Sequence, residues 1–580
     1  MVDFLNGYVI ARIFFKKQMK MSNSKHGLFA DLLQEALRSQ QDLSAVERFS
    51  REHLEGEIHT QSRYYKNLIP LSLPKQGEQY GFEVDLDSCT GCKACVTACH
   101  VMNGLDEFEV WREVGTLVGG SVELPMAQYV TSACHHCLDP ECLNGCPVKA
   151  YEKDKVTGIV KHLDDQCIGC QYCVLKCPYD VPKYNERIGI VRKCDMCSDR
   201  LSSGEAPACV QACPNKAIRI MVVNKQNVIK KCESGDFLPG APDPTYTLPT
   251  TIYKTQHGLL KNLLPADYHV LRPQPSHLPL VFMLVFTQMS VGIFGVQAIL
   301  GFFPDYQVGT LAWKVNLIAG FITGVFGIGV STFHLGRPLL AFRAFLGWRT
   351  SWMSREIIAF GAYLASAGAL VLLLLLPFQD SILELVNRLH LLTLVLGCLG
   401  VFFSAMIYHD TPRPYWALAR TGRRFLLTTI GLGISGVFFL RVLSLGFKTS
   451  TSNLEILDFP GNYLLPTLMI VGLVNLLDEI GFLFHLRDKR NTIFKKSVHL
   501  LLGPLFQIFA ARIVCGLVGG VALPLILIMD RGNVQSHGAT SFLSFFLVSS
   551  FASLLVAELL ERKLFFQAVV PPKMPGAIAE

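Results

Sequence analysis

Cys167-Ile-Gly-Cys170-Gln-Tyr-Cys173-Val-Leu-Lys-Cys177-Pro178 decides the fold of the first half of this chain. One tight turn of the form C-x2-C-x2-C presents three thiolates to three corners of an iron–sulfur cubane, and the cysteine before the proline ordinarily serves a second cluster. Pro178 stops the backbone after that thiol from continuing as a helix. Cys89, Cys92, Cys95 and Cys99 repeat the spacing without the proline. Cys134, Cys137, Cys142 and Cys146-Pro147 widen the second gap, and Cys194, Cys197, Cys209 and Cys213-Pro214 place eleven residues in it. Four groups of four leave no ligand missing.

Structural zinc is the competing use of clustered cysteines. It takes two C-x2-C pairs from separate knuckles, which three cysteines in one short turn suit poorly, so zinc survives best at Cys194 and Cys197. Gly158–Leu163 and Gly189–Arg192 read as short strands entering ligand loops, and Ala217–Val222 as one leaving the last. The layout is an α+β, ferredoxin-like one.

Composition divides the rest. The chain has 580 residues, 50% hydrophobic and only 17% charged, with a mean hydropathy of +0.34. Soluble domains carry about a quarter charged residues, and here the apolar excess lies beyond residue 277. Sixteen of the 19 cysteines fall between Cys89 and Cys213 in ligand spacing, which sets a disulfide framework aside. Cys232, Cys398 and Cys515 have no partner at such spacing and read as small hydrophobes. The net charge of +7 resides in loops between apolar segments, where membrane orientation explains it and nucleic acid is not needed.

The expected division is an N-terminal helical or extended segment (1–80), the cysteine domain (81–225), a Pro-rich linker (226–277), an all-α polytopic membrane domain (278–566) and a tail (567–580). Apolar spacing and a capping box at Ser44 and Glu47 predict two amphipathic helices over 28–54. No small-residue cleavage site or twin arginine precedes the cysteines, so the domain is expected to stay unexported, and Met21 offers an alternative start. The linker holds eight prolines from Pro239 to Pro279 and is expected to be extended, along a partner or the membrane surface.

Eight apolar segments have spanning length: 278–303, 313–334, 356–377, 389–408, 425–444, 463–484, 498–529 and 540–561. The seventh, with Pro504 and Pro524, is expected to kink or tilt. Loops on the cysteine-domain side, with the tail, carry sixteen Lys and Arg, against Lys314, Arg388, Lys448 and Arg531 opposite. The positive-inside rule then puts the cysteine domain and C-terminus in the cytoplasm, at an inner membrane.

Residues 81–222 resemble the four-cluster iron–sulfur subunit of the dimethyl sulfoxide reductase family of molybdenum enzymes. The resemblance implies that groups pair first with fourth and second with third, each lending its last cysteine. Cys89, Cys92 and Cys95 would take Cys213; Cys194, Cys197 and Cys209 would take Cys99; Cys134, Cys137 and Cys142 would take Cys177; Cys167, Cys170 and Cys173 would take Cys146. It implies four [4Fe-4S] clusters and a separate molybdopterin-containing catalytic subunit.

His334-Leu-Gly-Arg-Pro338 and Ser351-Trp-Met-Ser-Arg-Glu356 resemble the quinol-oxidising anchor subunit of the same family, and the likeness runs to Glu558-Leu-Leu-Glu-Arg562. Quinol oxidation releases two protons with two electrons, so an imidazole (His334) backed by a carboxylate (Glu356) suits it. Arg337, Trp348 and Trp352 on the intervening loop complete the expected quinol site; helix capping by His334 and an Arg partner for Glu356 is the plainer alternative. Asp478 and Glu479 lie within a span, as a proton path or as a buried pair with Arg441 or Arg512. Haem is disfavoured, since His334, His409, His485 and His499 sit at span ends without paired spacing. The implied function is electron transfer from quinol through the clusters to the catalytic subunit, with reverse flow from a dehydrogenase or hydrogenase to quinone as the alternative.

Overall fold

A computed structural model describes residues 33, 34, 37 and 62–577, except 122, 124, 261, 304–309, 375–379, 446–459 and 530–538. The helices expected over 28–54 lie outside the described residues, apart from Leu33, Gln34 and Leu37, which are helical. Residues 68–202 and 206–580 form one compact unit, and everything below lies within it.

Ligand loops need rigid flanks, and short strands supply them. In chain order the described strands are β1 (Glu78–Asp85), β2 (Glu113–Gly120), β3 (Pro125–Ser132), β4 (Tyr151–Lys153), β5 (Val160–His162), β6 (Lys183–Asn185), β7 (Ile190–Arg192), β8 (Ile218–Asn224), β9 (Ile252–Lys254) and β10 (Leu264–Pro265). β1 enters the first cysteine group and β8 leaves the fourth. They pair antiparallel from Glu78↔Asn224 to Val84↔Ile218, which returns the last ligand loop beside the first. The hairpins β4–β5 and β6–β7 stand in equivalent places after the second and third groups.

The Pro-rich stretch is not a free spacer. β9 adds in parallel to β1, and β10 adds antiparallel to β2, which pairs with β3. Sheet edges expose unpaired N–H and C=O groups, and the linker pairs with part of one edge of each sheet before the chain enters the membrane half.

Among the described residues, eight helices are long and apolar enough to cross a bilayer: Leu278–Leu300, Leu311–His334, Trp352–Leu374, Glu384–His409, Leu418–Ser444, Tyr463–Arg487, Phe506–Met529 and Phe542–Gln567. The architecture is therefore a ferredoxin-like iron–sulfur fold followed by an all-α membrane region. The seventh segment differs from expectation at its start. Ile493–Leu502 is a separate helix, and Gly503–Leu505 breaks the chain before the span begins at Phe506. Pro504 has no N–H to give the helix. A π turn at Val518–Ala522 precedes Pro524, whose ring would otherwise crowd the Gly520 carbonyl. Small residues let the first and fifth spans approach closely: a Cβ on Gly292 would stand 2.9 Å from the Gly433 Cα.

Candidate redox site

The cysteine turns share a local geometry that the spacing alone does not reveal. The residue just before the second cysteine of each group has positive φ: Gly91 (71°), His136 (41°), Gly169 (69°) and Met196 (61°). The third residue after each Cys-Pro cysteine does too, at Lys149 (55°), Asp180 (55°) and Lys216 (54°). Such backbone is strained for non-glycine residues. The return is that N–H groups turn toward sulfur. Gly169 N donates to Cys167 Sγ (3.4 Å), Met196 N to Cys194 Sγ (3.4 Å), Ala150 N to Cys146 Sγ (3.2 Å) and Ala217 N to Cys213 Sγ (3.2 Å). Hydrogen bonds to sulfur are a principal control on iron–sulfur potentials.

The thiols gather in four sets. Burial pushes Cys89 up, and the charges of Cys95, Cys213 and Cys92 add to this. Burial pushes Cys99 up to about 12, with Cys209 and Cys197 contributing. Cys137 and Cys142 are raised by burial and then by Cys134 and Cys177, and Cys170 and Cys173 by burial and then by Cys146 and Cys167. Between sets, Cys95 faces Cys209, Cys194 faces Cys134, and Tyr151 stands between Cys173 and Cys142. Cys89, Cys92, Cys95 and Cys213 line one small cavity and Cys134, Cys137, Cys142 and Cys177 another.

Buried thiols that repel one another are a poor core by themselves but a good receptor for a cationic inorganic core, which takes them as thiolates. Among the described residues, no three His, Cys, Asp or Glu side chains converge as a single metal ion requires. The larger frame of a 4Fe-4S cluster suits clustered cysteines of this kind.

The His334-Leu-Gly-Arg-Pro338 loop docks on the third cysteine turn. A Cβ on Gly336 would meet the Gly189 carbonyl carbon at 2.5 Å, and a Cβ on Gly169 would meet the Gly336 Cα at 3.0 Å. Arg337 N donates to Ile168 O (3.1 Å) and Arg337 Nη1 to Asp164 O (2.9 Å). Ser351 Oγ donates to Gly145 O (2.7 Å). Lys176, 2% exposed, joins Glu141 to Asp410 of the loop after the fourth span, at 2.8 Å from the Asp410 carboxylate.

This docking encloses a cavity of about 670 Å³ whose lining includes Cys170, His277, His334, Glu356, Tyr408 and Arg413. His334 faces the backbone of Cys170. Glu356 is buried and accepts a hydrogen bond from Ser404 Oγ, so the plainer Arg pairing is not what holds it. Arg355 instead donates to Trp348 O and Arg349 O. Arg337, Trp348 and Trp352 do not line the cavity. Arg337 holds the docked loop, Trp348 is 54% exposed beneath Arg349, and Trp352 packs on Phe403.

Sequence reasoning missed His277 and Arg413. His277, at the start of the first span with φ 45°, lies edge-on to the His334 ring at 5.1 Å. Burial, then the Arg413 charge, holds its pKa below the usual imidazole range. The one available signal was its place at the mouth of the first apolar segment.

Asp478 and Glu479 join a buried ion network. Arg512 meets Glu479 (3.1 Å) and Glu558 (3.3 Å), Asp478 meets Arg423, and Arg424 meets Glu561 (3.1 Å). Arg562 Nη2 donates to Gln288 and Thr428 at 2.9 and 2.8 Å. Arg512, one of the two partners expected for this acidic pair, meets Glu479.

Comparisons with known proteins agree with both halves. Residues 126–223 match a 4Fe-4S dicluster domain, and residues 275–567, half of the chain, match the DMSO reductase anchor subunit (DmsC). The B subunit of the anaerobic dimethyl sulfoxide reductase of Escherichia coli (strain K12) is 37% identical over 186 residues, 30% of this chain and 88% of that protein. The thiosulfate reductase electron transfer subunit PhsB of Salmonella typhi is 38% identical over 144 residues, 24% of this chain and 74% of that protein. Hydrogenase-2 operon protein HybA of Escherichia coli O157:H7 is 37% identical over 165 residues, 24% of this chain and half of that protein. The protein belongs to the DMSO reductase anchor subunit family through its membrane half and to the iron–sulfur subunits of anaerobic DMSO reductases through its cysteine half, a membrane-anchored electron-transfer subunit of DMSO reductase-type complexes in one polypeptide.

Proposed function

We propose that the chain oxidises quinol in the 670 Å³ cavity and passes electrons to a separate molybdopterin catalytic subunit. The observation that carries this reading is that one cavity exposes His334 and Glu356 together with Cys170. Four [4Fe-4S] clusters, in the sets ending at Cys213, Cys99, Cys177 and Cys146, would supply one-electron relay between the cavity and the partner.

The chain's own residues handle the protons and the position. His334 accepts one hydroxyl proton of quinol, and Glu356, held by Ser404, accepts the other. Arg337 fixes the loop that keeps His334 against the Cys170 turn. Tyr408 and Trp416, set edge-on to one another, contribute aromatic rings to the cavity lining.

The excess of basic residues in loops on the cysteine side favours a cytoplasmic iron–sulfur half at an inner membrane. Quinol oxidation and acceptor reduction then fall on one side, and turnover builds no membrane potential. Sealed vesicles carrying the whole complex and a voltage-sensitive dye test this; a potential that grows with turnover contradicts it.

The likeness to a hydrogenase-2 operon protein favours a second reading, in which a dehydrogenase or hydrogenase feeds the clusters and the cavity reduces quinone. Anaerobic mixing separates the two. Quinol that reduces the clusters supports the first, and reduced clusters that only discharge into quinone support the second.

A further inference from the structure

Arg112 stands just before β2 with its side chain 2% exposed, and it has no acidic partner among the described residues. Nη1 donates to Thr131 Oγ1 at 3.1 Å, the guanidinium lies 4.7 Å from the centre of the Phe82 ring, and Nη2 has no hydrogen-bond partner. The nearby acids are engaged elsewhere: Glu83 with Arg219 and Lys254, Glu109 with Arg192. Of the other buried arginines, Arg424, Arg512 and Arg562 meet carboxylates, and Arg413 donates to the Leu175 carbonyl. An isolated buried charge costs several kcal/mol, and arginine cannot shed its proton to avoid that.

Cys209, Cys95, Cys194 and Cys99 lie within electrostatic reach of Arg112, as do His135, His136 and Tyr253. The cysteines come from two sets, Cys95 from the one completed by Cys213, the other three from the one completed by Cys99. Thr131 Oγ1, which takes the Arg112 hydrogen bond, also lies 3.6 Å from Cys95 Sγ. One fixed cation therefore sits at the seam between two sets of thiols that are anionic once they hold metal.

We propose that Arg112 is the shared counter-charge of two neighbouring iron–sulfur clusters and raises the reduction potential of both. Each reduction adds one negative charge to its set, and a fixed cation at the seam favours the reduced state. Arg112 is a positioning and tuning residue, since it neither carries the electron nor binds quinol. The inference rests on the reading that these sets hold [4Fe-4S] clusters.

The test is a redox titration of the purified full-length chain, anaerobic, with cluster signals followed by electron paramagnetic resonance and iron measured on each sample. Wild type is measured first: about sixteen irons, four per cubane, and four cluster signals are required by the underlying reading, and their absence sinks that reading separately. Arg112→Gln is then expected to lower the reduced-to-oxidised ratio of two clusters about tenfold at a fixed potential, which is about 59 mV for a one-electron couple. The other two clusters stay within threefold, and Arg112→Lys restores most of the loss. Full iron with four unmoved potentials in Arg112→Gln overturns the proposal, and so does an equal shift of all four. If Arg112→Gln loses iron, Arg112→Lys decides: iron and potentials kept show that the charge is what matters, and iron lost from both shows a role in shape alone.

Discussion

Gly336→Ala tests how the membrane loop is held on the cysteine turn. The added methyl would stand 2.5 Å from the Gly189 carbonyl carbon and 2.7 Å from its Cα, where ordinary contact begins near 3.4 Å. Both sides of this contact are backbone, so neither can swing away, and the loop must withdraw by about an ångström. Overpacking of this kind costs about 1–3 kcal/mol. Withdrawal also moves His334 from Cys170, and misplacement by about an ångström can cost about a hundredfold in rate. Quinol-driven reduction of the clusters is thus expected to fall about 10- to 100-fold in stopped flow, while reduction by dithionite is unchanged. Gly329→Ala is the control, since its Cβ would meet nothing within 4 Å on the same span. A Gly336→Ala protein that oxidises quinol at the wild-type rate would refute the docking argument.

Glu356→Gln keeps the shape and the Ser404 contact but removes a proton acceptor, so quinol-driven reduction should drop by about a hundredfold or more while dithionite reduction persists; equal rates for both proteins would remove Glu356 from the chemistry. Arg512→Met leaves Glu479 and Glu558 facing one another in the membrane half. It should cost about 3–5 kcal/mol, read as a lower thermal midpoint in detergent, with Arg512→Met/Glu479→Gln/Glu558→Gln recovering much of it. Lys176→Met abolishes the bridge from Glu141 to Asp410. Asp410 is partly exposed, so a loss of only about 1–3 kcal/mol is expected, seen as faster hydrogen exchange over residues 407–413; unchanged exchange there would count against the bridge.

Ligand spacing and bilayer length made most of the architecture legible. C-x2-C-x2-C is a local geometric demand, and twenty apolar residues are a physical one, so each half announces itself without knowledge of the other. Bounds were less legible at helix ends: the last span runs on to Gln567, past the expected end at 561, and buried partners hold the charge of Arg562 there. The strand pairing within the linker was not legible, because pairing of Ile252–Lys254 with Glu83–Asp85 is a long-range event with no local signature. The same holds for the cavity. His334 and Glu356 were readable from motif and chemistry, whereas His277 and Arg413 reach the cavity only through tertiary packing. Trp348 and Trp352 illustrate the opposite error, since nearness in sequence to His334 and Glu356 did not bring them to the lining.

An anaerobic quinol titration of the purified chain, with iron quantified and cluster reduction followed by electron paramagnetic resonance, tests the central claim most directly. About sixteen irons per chain and cluster signals that grow with added quinol are the predicted result. Full iron with no response to quinol, while chemically reduced clusters discharge rapidly into quinone, would contradict it.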